Sequence, residues 1–382
     1  MPIAYVVLIL ASAIVAYILI GYPLALAALA GRGSREVAKN LDYRTSVSII
    51  LAVYNGGAFI RAKLEAILAL NYPRELTQIL VVSDGSSDET ESIVREFSGR
   101  GVELISVPHA GKASALNAAL RAASGEILFF TDVRQMLNAE ALRHLVGNFA
   151  DPSVGAVSGE MQLKKGRRGE QSDMDLYWRY EVWVRKQHSR IDSIFATTGC
   201  IYAMRRDLAH AIPADTLSDD AALPLSAFFR GYRVVFEPAA VAIDHPAEAG
   251  TEFRRRWRTL AGLWQVFTRM PQLFTSRNRM RVHFLSHKFS RLMLPWAILI
   301  AVGATCALPG SPFRSWLLAD ECALVGLALL DAVVPERFFL KRLTSPARTF
   351  IVMNAASAAA LAVFFIPPNR LWAPTRMEIM GP

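Results

Sequence analysis

Two aspartates close apolar runs in this 382-residue chain, and both stand where a carboxylate can meet a ligand. Asp132 ends the stretch EILFFTDVRQ, residues 126–135, in which Ile127, Leu128, Phe129 and Phe130 read as a short strand crossing a core. Asp84 follows the apolar residues 79–82 in the same way, inside Ser83-Asp84-Gly85-Ser86-Ser87-Asp88. In open α/β sheets ligands bind beyond the carboxyl ends of the strands, so such a carboxylate can serve a substrate as well as open a turn or cap a helix. Lys112, in Gly111-Lys112-Ala113-Ser114, adds a cation. Two strand-tip carboxylates, a lysine and a polar loop suit a divalent metal bridging the phosphates of a nucleotide-activated substrate.

The segments around these residues alternate strand and helix. Residues 47–53 (VSIILAV) form a near-continuous apolar run suited to a parallel strand buried on both faces, and Tyr54-Asn55-Gly56-Gly57 breaks it before a helical 58–70. Strand 79–82 leads to a helix over 89–97, strand 102–107 leads through His109 and Lys112 to a helix ending at Ala123, and the fourth strand delivers Asp132. That order predicts an α/β fold with a doubly wound sheet and a nucleotide at its switch point. Beyond it, residues 139–149 read as helix, 154–163 as strand, 166–169 as a basic turn and 201–204 as strand. Residues 174–190 place Tyr177, Trp178, Tyr180 and Trp183 on a long helix, either at the lipid headgroups or packed beneath the sheet.

Other nucleotide chemistries lack their fingerprints. No G-x-G-x-x-G follows the first strand, and Gly111-Lys112 is no Walker A loop, since Ser106 replaces its first glycine and Ala113 follows the lysine. The net charge of +9 comes without a zinc-finger or RNA-binding signature, which leaves anionic lipid and phosphorylated substrates as partners and argues against nucleic acid. Three scattered cysteines, Cys200, Cys306 and Cys322, have no metal or disulfide spacing and read as free thiols in a reducing compartment.

A composition of 53% hydrophobic residues suggests a soluble domain tethered to membrane. Residues 3–30 carry no charge and exceed the ~20 residues that cross a hydrocarbon core, so they read as a span or signal anchor. Arg32, Arg35, Lys39 and Arg44 follow, which by the positive-inside rule puts the next domain in the cytosol. Residues 292–313 and 350–368 are further candidate spans, while 316–334 includes Asp320, Glu321 and Asp331 and is less suited. The expected organisation is an anchor and basic linker over 1–45, a cytosolic domain over 46–250, basic interfacial helices over 251–291 and a C-terminal transmembrane region over 292–382.

Taken together, VSIILAVYNGG, VVSDGSSDET, GKASALNAAL, FFTDVRQ, TTGCIYAMRR and LSDDAALPLSAFFRGYRVVFEP resemble a membrane-bound family 2 glycosyltransferase, similar in layout to processive synthases of the cellulose, chitin and hyaluronan kind. The resemblance covers about residues 46–258. It implies a GT-A type fold flanked by transmembrane helices and a donor site made by Asn55, Asp84, Lys112, Asp132, Arg134 and Gln135. Within it, Asp84 reads the base, Lys112 lies by the donor and Asp132 holds Mg²⁺ or Mn²⁺ on the diphosphate.

One departure bears on the metal. The family's Asp-x-Asp motif reads Asp132-Val133-Arg134 here, and an arginine cannot ligate a cation. Either Gln135, His245 or water completes the shell, or Arg134 itself supplies positive charge to the diphosphate; alternatively Arg134 turns outward onto a carboxylate and the metal keeps its place. His245, in Asp244-His245-Pro246, could also be a surface histidine in a turn.

The acceptor side rests on three motifs. Inverting transfer needs a base to take the proton of the acceptor hydroxyl, and Asp220 matches the aspartate of the family's Thr-Glu-Asp motif, with Asp219 where glutamate is usual; the pair could also cap the helix that follows. Gly199 lies in a small-residue turn that in the family lines the acceptor site. Phe253-Arg254-Arg255-Arg256-Trp257 resembles Gln-x-x-Arg-Trp, keeping Arg256 and Trp257 as acceptor and gating residues but not the glutamine.

The expected activity is inverting transfer from a nucleotide sugar to a saccharide acceptor at the cytoplasmic membrane face, in cell-surface or extracellular polysaccharide synthesis. Transfer of one sugar to a polyprenyl phosphate or membrane glycolipid needs the same donor site, and a non-catalytic nucleotide-binding membrane protein is a third possibility. Retention of Asp84, Asp132 and Asp220 together disfavours the last, because binding alone needs no acceptor-side base.

Overall fold

The computed structural model describes residues 3–32, 34–163, 171–244, 252–335 and 338–367. His245, the basic turn at 166–169 and the C-terminal tail lie outside the described residues.

Eight strands form one sheet: β1 (Val47–Val53), β2 (Thr77–Asp84), β3 (Val102–Val107), β4 (Ile127–Thr131), β5 (Met136–Leu137), β6 (Val154–Leu163), β7 (Ile201–Arg205) and β8 (Arg233–Asp244), in the order β3-β2-β1-β4-β7-β6-β8-β5. β1 sits between β2 and β4, parallel to both, with Ile49 beside Ile79 and Phe129. Here the strand order reverses, which makes the β1/β4 edge the switch point.

Alternation along β1 explains the two covered faces. Ile49, Leu51 and Val53 pack with Ile60 and Leu64 of the helix Gly57–Leu68, whereas Ile50 faces Ala115, Leu116 and Ala119 of the helix Lys112–Ala122. A period of two thus turns one apolar run into two cores.

The sheet is mixed rather than wholly parallel. β7 runs antiparallel to β4 and β6, while β8 is parallel to β6. β7 therefore begins at the edge where β4, β6 and β8 end. Thr131, closing β4, pairs with Ile201, opening β7, and Leu163 pairs with Asp244 at the ends of β6 and β8. This polarity gathers Asp84, Asp132, Gly199 and Asp244 along one rim of the sheet.

Among the described residues, three helices are long and apolar enough to cross a membrane: Ile3–Gly31, Arg281–Cys306 and Lys341–Phe364. The second and third start earlier than their uncharged cores, because their cations are paired. Arg291 and Lys288 reach Glu181 on the helix Gln171–Ile191, and Lys341 and Arg348 reach Asp331. The helix Pro312–Leu330 packs against Lys341–Ala359, and its Glu321 accepts a hydrogen bond from Thr305 at 2.9 Å. Trp178, Tyr180 and Trp183 of Gln171–Ile191 are half-buried. Trp178 donates to the Met161 carbonyl at 2.8 Å, and Val184 packs on Tyr22 and Leu26 of the first membrane helix.

Candidate active site

The rim encloses a cleft of about 390 Å³, bordered by Asp84, Lys112, Asp132, Arg134, Gln135 and Gly199 on the sheet side and by Ser218, Asp219, Asp220, Arg255 and Arg258 opposite. Sequence reasoning thus brings the donor-side and base-side aspartates into one space.

At the β2 tip, Asp84 is buried and accepts from the backbone N–H groups of Ala110 at 2.8 Å and Gly111 at 3.0 Å. His109 Nδ1 lies 3.0 Å from Asp84 Oδ2, and its ring stacks on Tyr54 at 4.2 Å between centroids. Asp84 therefore ties the loop after β3 to the sheet. Gly85 makes this approach possible: its φ is +68°, and a Cβ there would sit 2.7 Å from the His109 nitrogen. Asn55, also with positive φ, accepts from the Ser87 N–H at 2.8 Å and so holds the same loop rather than projecting as a lone ligand.

Lys112 joins the two sides. Its Nζ lies 3.0 Å from Asp132 Oδ1 and 3.3 Å from Asp219 Oδ1. Burial opposes its charge, but Asp132 and Asp219 outweigh it and hold the ammonium above the ordinary lysine range.

Asp219 and Asp220 open the helix Asp219–Phe229, where the helix dipole favours negative charge. Burial, then the adjacent Asp219, push the Asp220 carboxyl up to about 6, against the pull of Lys112 and Arg185. The backbone carbonyl of Asp220 accepts from Thr197 N–H and Oγ1–H, both at 2.8 Å. Gly199 leaves room for the side chain, since a Cβ there would lie 3.2 Å from Asp220 Oδ2. A carboxyl poised near neutrality, facing a cleft, has the properties of a general base.

Arg134 takes the outward orientation. Its Nε and Nη2 donate to the fully buried Asp244 at 3.1 and 2.8 Å, and Gln135 Nε2 donates to the same carboxylate at 2.9 Å. Gln135 Oε1 is left buried without a hydrogen-bond partner. Asp132 and this orphaned oxygen are the hard oxygen donors fitted to a divalent cation, which in nucleotide sites is held by few protein ligands and completed by phosphate and water. Among the described residues no group of three or more His, Cys, Asp or Glu side chains forms a ready-made cage.

Several functional neighbours were missed in the sequence. Lys63, fully buried on Gly57–Leu68, donates to Thr131 Oγ1 at 2.8 Å and to the Gln135 carbonyl, clamping the loop on both sides of Asp132. Burial pushes its amine down to about 8. Its helical position gave no signal, because a lysine there reads as a solvated face. Arg255 and Arg258 line the cleft, while Arg256 and Trp257 are not among its lining residues. The Trp257 indole instead donates to the Ala359 carbonyl at 2.8 Å. Cys200, buried beside Asp132, has its thiol pushed up to about 12 by burial and is an inert neighbour.

Comparison with known proteins agrees with this fold. Residues 48–212 match the model of glycosyl transferase family 2. The poly-beta-1,6-N-acetyl-D-glucosamine synthase of Staphylococcus aureus (strain COL) is 25% identical over 242 residues, 61% of this chain and 55% of that protein. A probable glycosyltransferase of Bacillus subtilis (strain 168), YdaM, is 26% identical over 262 residues, 64% of this chain and 62% of its own. The chain spans little more than half the length of these curated relatives. Among solved structures, a mannosyltransferase from Pyrobaculum calidifontis in complex with GDP-Man and Mn²⁺ is 26% identical with a TM-score of 0.76, covering 94% of this chain and 99% of that one. Residues 48–212 accordingly match a family 2 glycosyl transferase domain, and the chain around them has the GT-A fold with candidate membrane helices on both flanks.

Proposed function

We propose that this enzyme transfers a sugar, with inversion, from a nucleoside diphosphate donor to a saccharide acceptor at the cytoplasmic face of the inner membrane, extending a cell-surface or extracellular polysaccharide. The observation that carries it is the meeting of Asp132 and Asp219 on Lys112, with Asp220 beside them: donor-side and acceptor-side carboxylates share one cleft. The Asp220 carboxylate takes the proton of the acceptor hydroxyl as its oxygen attacks the anomeric carbon. Arg255 and Arg258 line the opposite wall and face the diphosphate that departs. Tyr54 and His109, stacked beside Asp84, provide an aromatic surface for the base. Asp132 and Gln135 would hold Mg²⁺ or Mn²⁺, which offsets negative charge on the leaving diphosphate. The Pyrobaculum relative, in complex with GDP-Man and Mn²⁺, supports both the donor class and the metal.

One observation favours a second reading. Trp257, the acceptor-contacting residue of the processive resemblance, is engaged by Ala359 outside the cleft, so a single transfer to a polyprenyl phosphate or membrane glycolipid competes with polymer extension. Washed membranes supplied with a panel of labelled nucleotide sugars separate the two. Long polymer supports the first reading, a labelled organic-extractable lipid the second, and the absence of any transfer removes both. Cytosolic placement is tested by cysteine labelling at the exposed Glu103: reaction with an impermeant reagent in intact cells would contradict it.

A further inference from the structure

A second cavity, of about 340 Å³, lies among the membrane helices. All three candidate spans wall it, the first through Ile18 and Leu19, the second through Leu294 and the third through Phe350 and Met353. Its wall is mostly apolar, with the neutral polar side chains of Thr349, Asn354 and Ser357 along it and the ionisable Glu181, His287 and Arg291 among its lining. There Arg291 Nη1 lies 2.6 Å from Glu181 Oε1, and Lys288, just behind the lining, has its Nζ 3.7 Å from Oε2, so two cations share one carboxylate. Arg185, one turn along the same helix, also acts on Glu181 electrostatically.

Two independent features single out this place. Ser357, 4% exposed, lines the cavity with its hydroxyl lacking a hydrogen-bond partner. The helices are also irregular here: the π-helical turns Tyr17–Gly21 and Phe284–Phe289 supply Leu19 and His287 to the wall. Such turns cost backbone regularity and concentrate at functional sites.

We infer that this cavity is a binding site for an anionic membrane phospholipid, its phosphate at the Arg291–Lys288 end and one acyl chain along Leu19, Leu294, Phe350 and Met353. Excess positive charge among membrane helices attracts a lipid phosphate, and the hydrocarbon wall accepts the tail. The helix Glu252–Arg269 separates the lipid from the transfer site, with Leu260 on the cavity and Arg255, Arg258 and Thr259 on the cleft. The occupant is therefore a bound lipid cofactor rather than an acceptor. The inference needs the three spans to cross a bilayer and does not depend on the sugar or acceptor proposed above.

The test is native mass spectrometry of the full chain released from phosphatidylcholine nanodiscs doped with phosphatidylglycerol. Wild type is expected to retain one phosphatidylglycerol in preference to phosphatidylcholine. Met353→Trp, which fills the tail channel and leaves the ion pair intact, and Arg291→Gln should each lower that retention about tenfold or more. If Arg291→Gln fails to fold, Met353→Trp alone decides. Equal retention of the two lipids, or undiminished retention in Met353→Trp, would overturn the site. In a second arm with polyprenyl phosphate added, preferential retention of that lipid would overturn the cofactor assignment and make the cavity an acceptor site.

Discussion

Arg134 grips Asp244 with two nitrogens, at 3.1 and 2.8 Å, in a place where the carboxylate has no solvent exposure. The residue that replaces a metal-binding aspartate is thereby a structural cation: it neutralises the end of β8 and leaves the Asp132 side of the loop to the donor. Removing it takes the guanidinium from a buried carboxylate that Gln135 still partly satisfies, which costs up to ~3–5 kcal/mol. Arg134→Ala should lose stability of that order in denaturation of the detergent-solubilised protein, with Arg134→Lys losing less because it keeps the charge without the fork. A stable Arg134→Ala enzyme with a raised donor KM would mean instead that the guanidinium serves the diphosphate.

Asp220 is expected to carry the acid limb of activity. With its carboxyl pushed up to about 6, mainly by burial and Asp219, the ionised base fills as pH rises through 6 and empties below it. Turnover should therefore fall about tenfold per unit on the acid side. Lys112, held above the ordinary range, adds no alkaline limb near neutrality. Asp220→Asn should lower kcat by ~10²-fold or more with donor KM nearly unchanged, and flatten the acid limb. An unshifted acid limb in that variant would assign it to another group.

Gly199 supplies clearance rather than flexibility. Its missing Cβ would stand 3.2 Å from Asp220 Oδ2, so Gly199→Ala should shift the carboxylate by a few tenths of an ångström. Loss of kcat at near-normal thermal stability is expected, since positioning of a base is sensitive to small displacement. Equal losses of kcat and stability would point to general misfolding.

The parallel half of the sheet was legible because its strands are apolar runs punctuated by polar tips. Val47–Val53 and Val102–Val107 begin and end where their hydrophobicity does. The antiparallel course of β7 was not legible, because five apolar residues carry no sign of direction. Membrane helices extend past their uncharged cores where their cations have buried partners, near in sequence for Arg348 and Asp331 but 110 positions apart for Arg291 and Glu181. Lys63 escaped because its partners, Thr131 and Gln135, are 68 and 72 positions distant. The arginine cluster was located to a segment, but residue spacing alone did not say that Arg255 and Arg258 face the cleft while Trp257 faces Ala359.

The altered metal motif yields the most exposed prediction. Asp132 keeps one anionic ligand, and Gln135 Oε1, buried without a partner, is the nearest candidate for the second oxygen that Arg134 cannot supply. Lys63 fixes both by holding Thr131 and the Gln135 carbonyl. A diphosphate beside Asp132 is a clash of like charges unless cations intervene, and Lys112 is already shared between Asp132 and Asp219. Activity is therefore expected to require Mg²⁺ or Mn²⁺, to vanish with chelator and to fall sharply in Asp132→Ala. Gln135→Ala should weaken Mn²⁺ binding, read by paramagnetic resonance in the presence of nucleotide, and Lys63→Met should weaken it less while lowering stability, because the lysine touches the loop and not the ion. Full activity in chelator would sink the metal. Charge on the diphosphate would then have to be met by Lys112, Arg134, Arg255 and Arg258, the cations that line the same cleft.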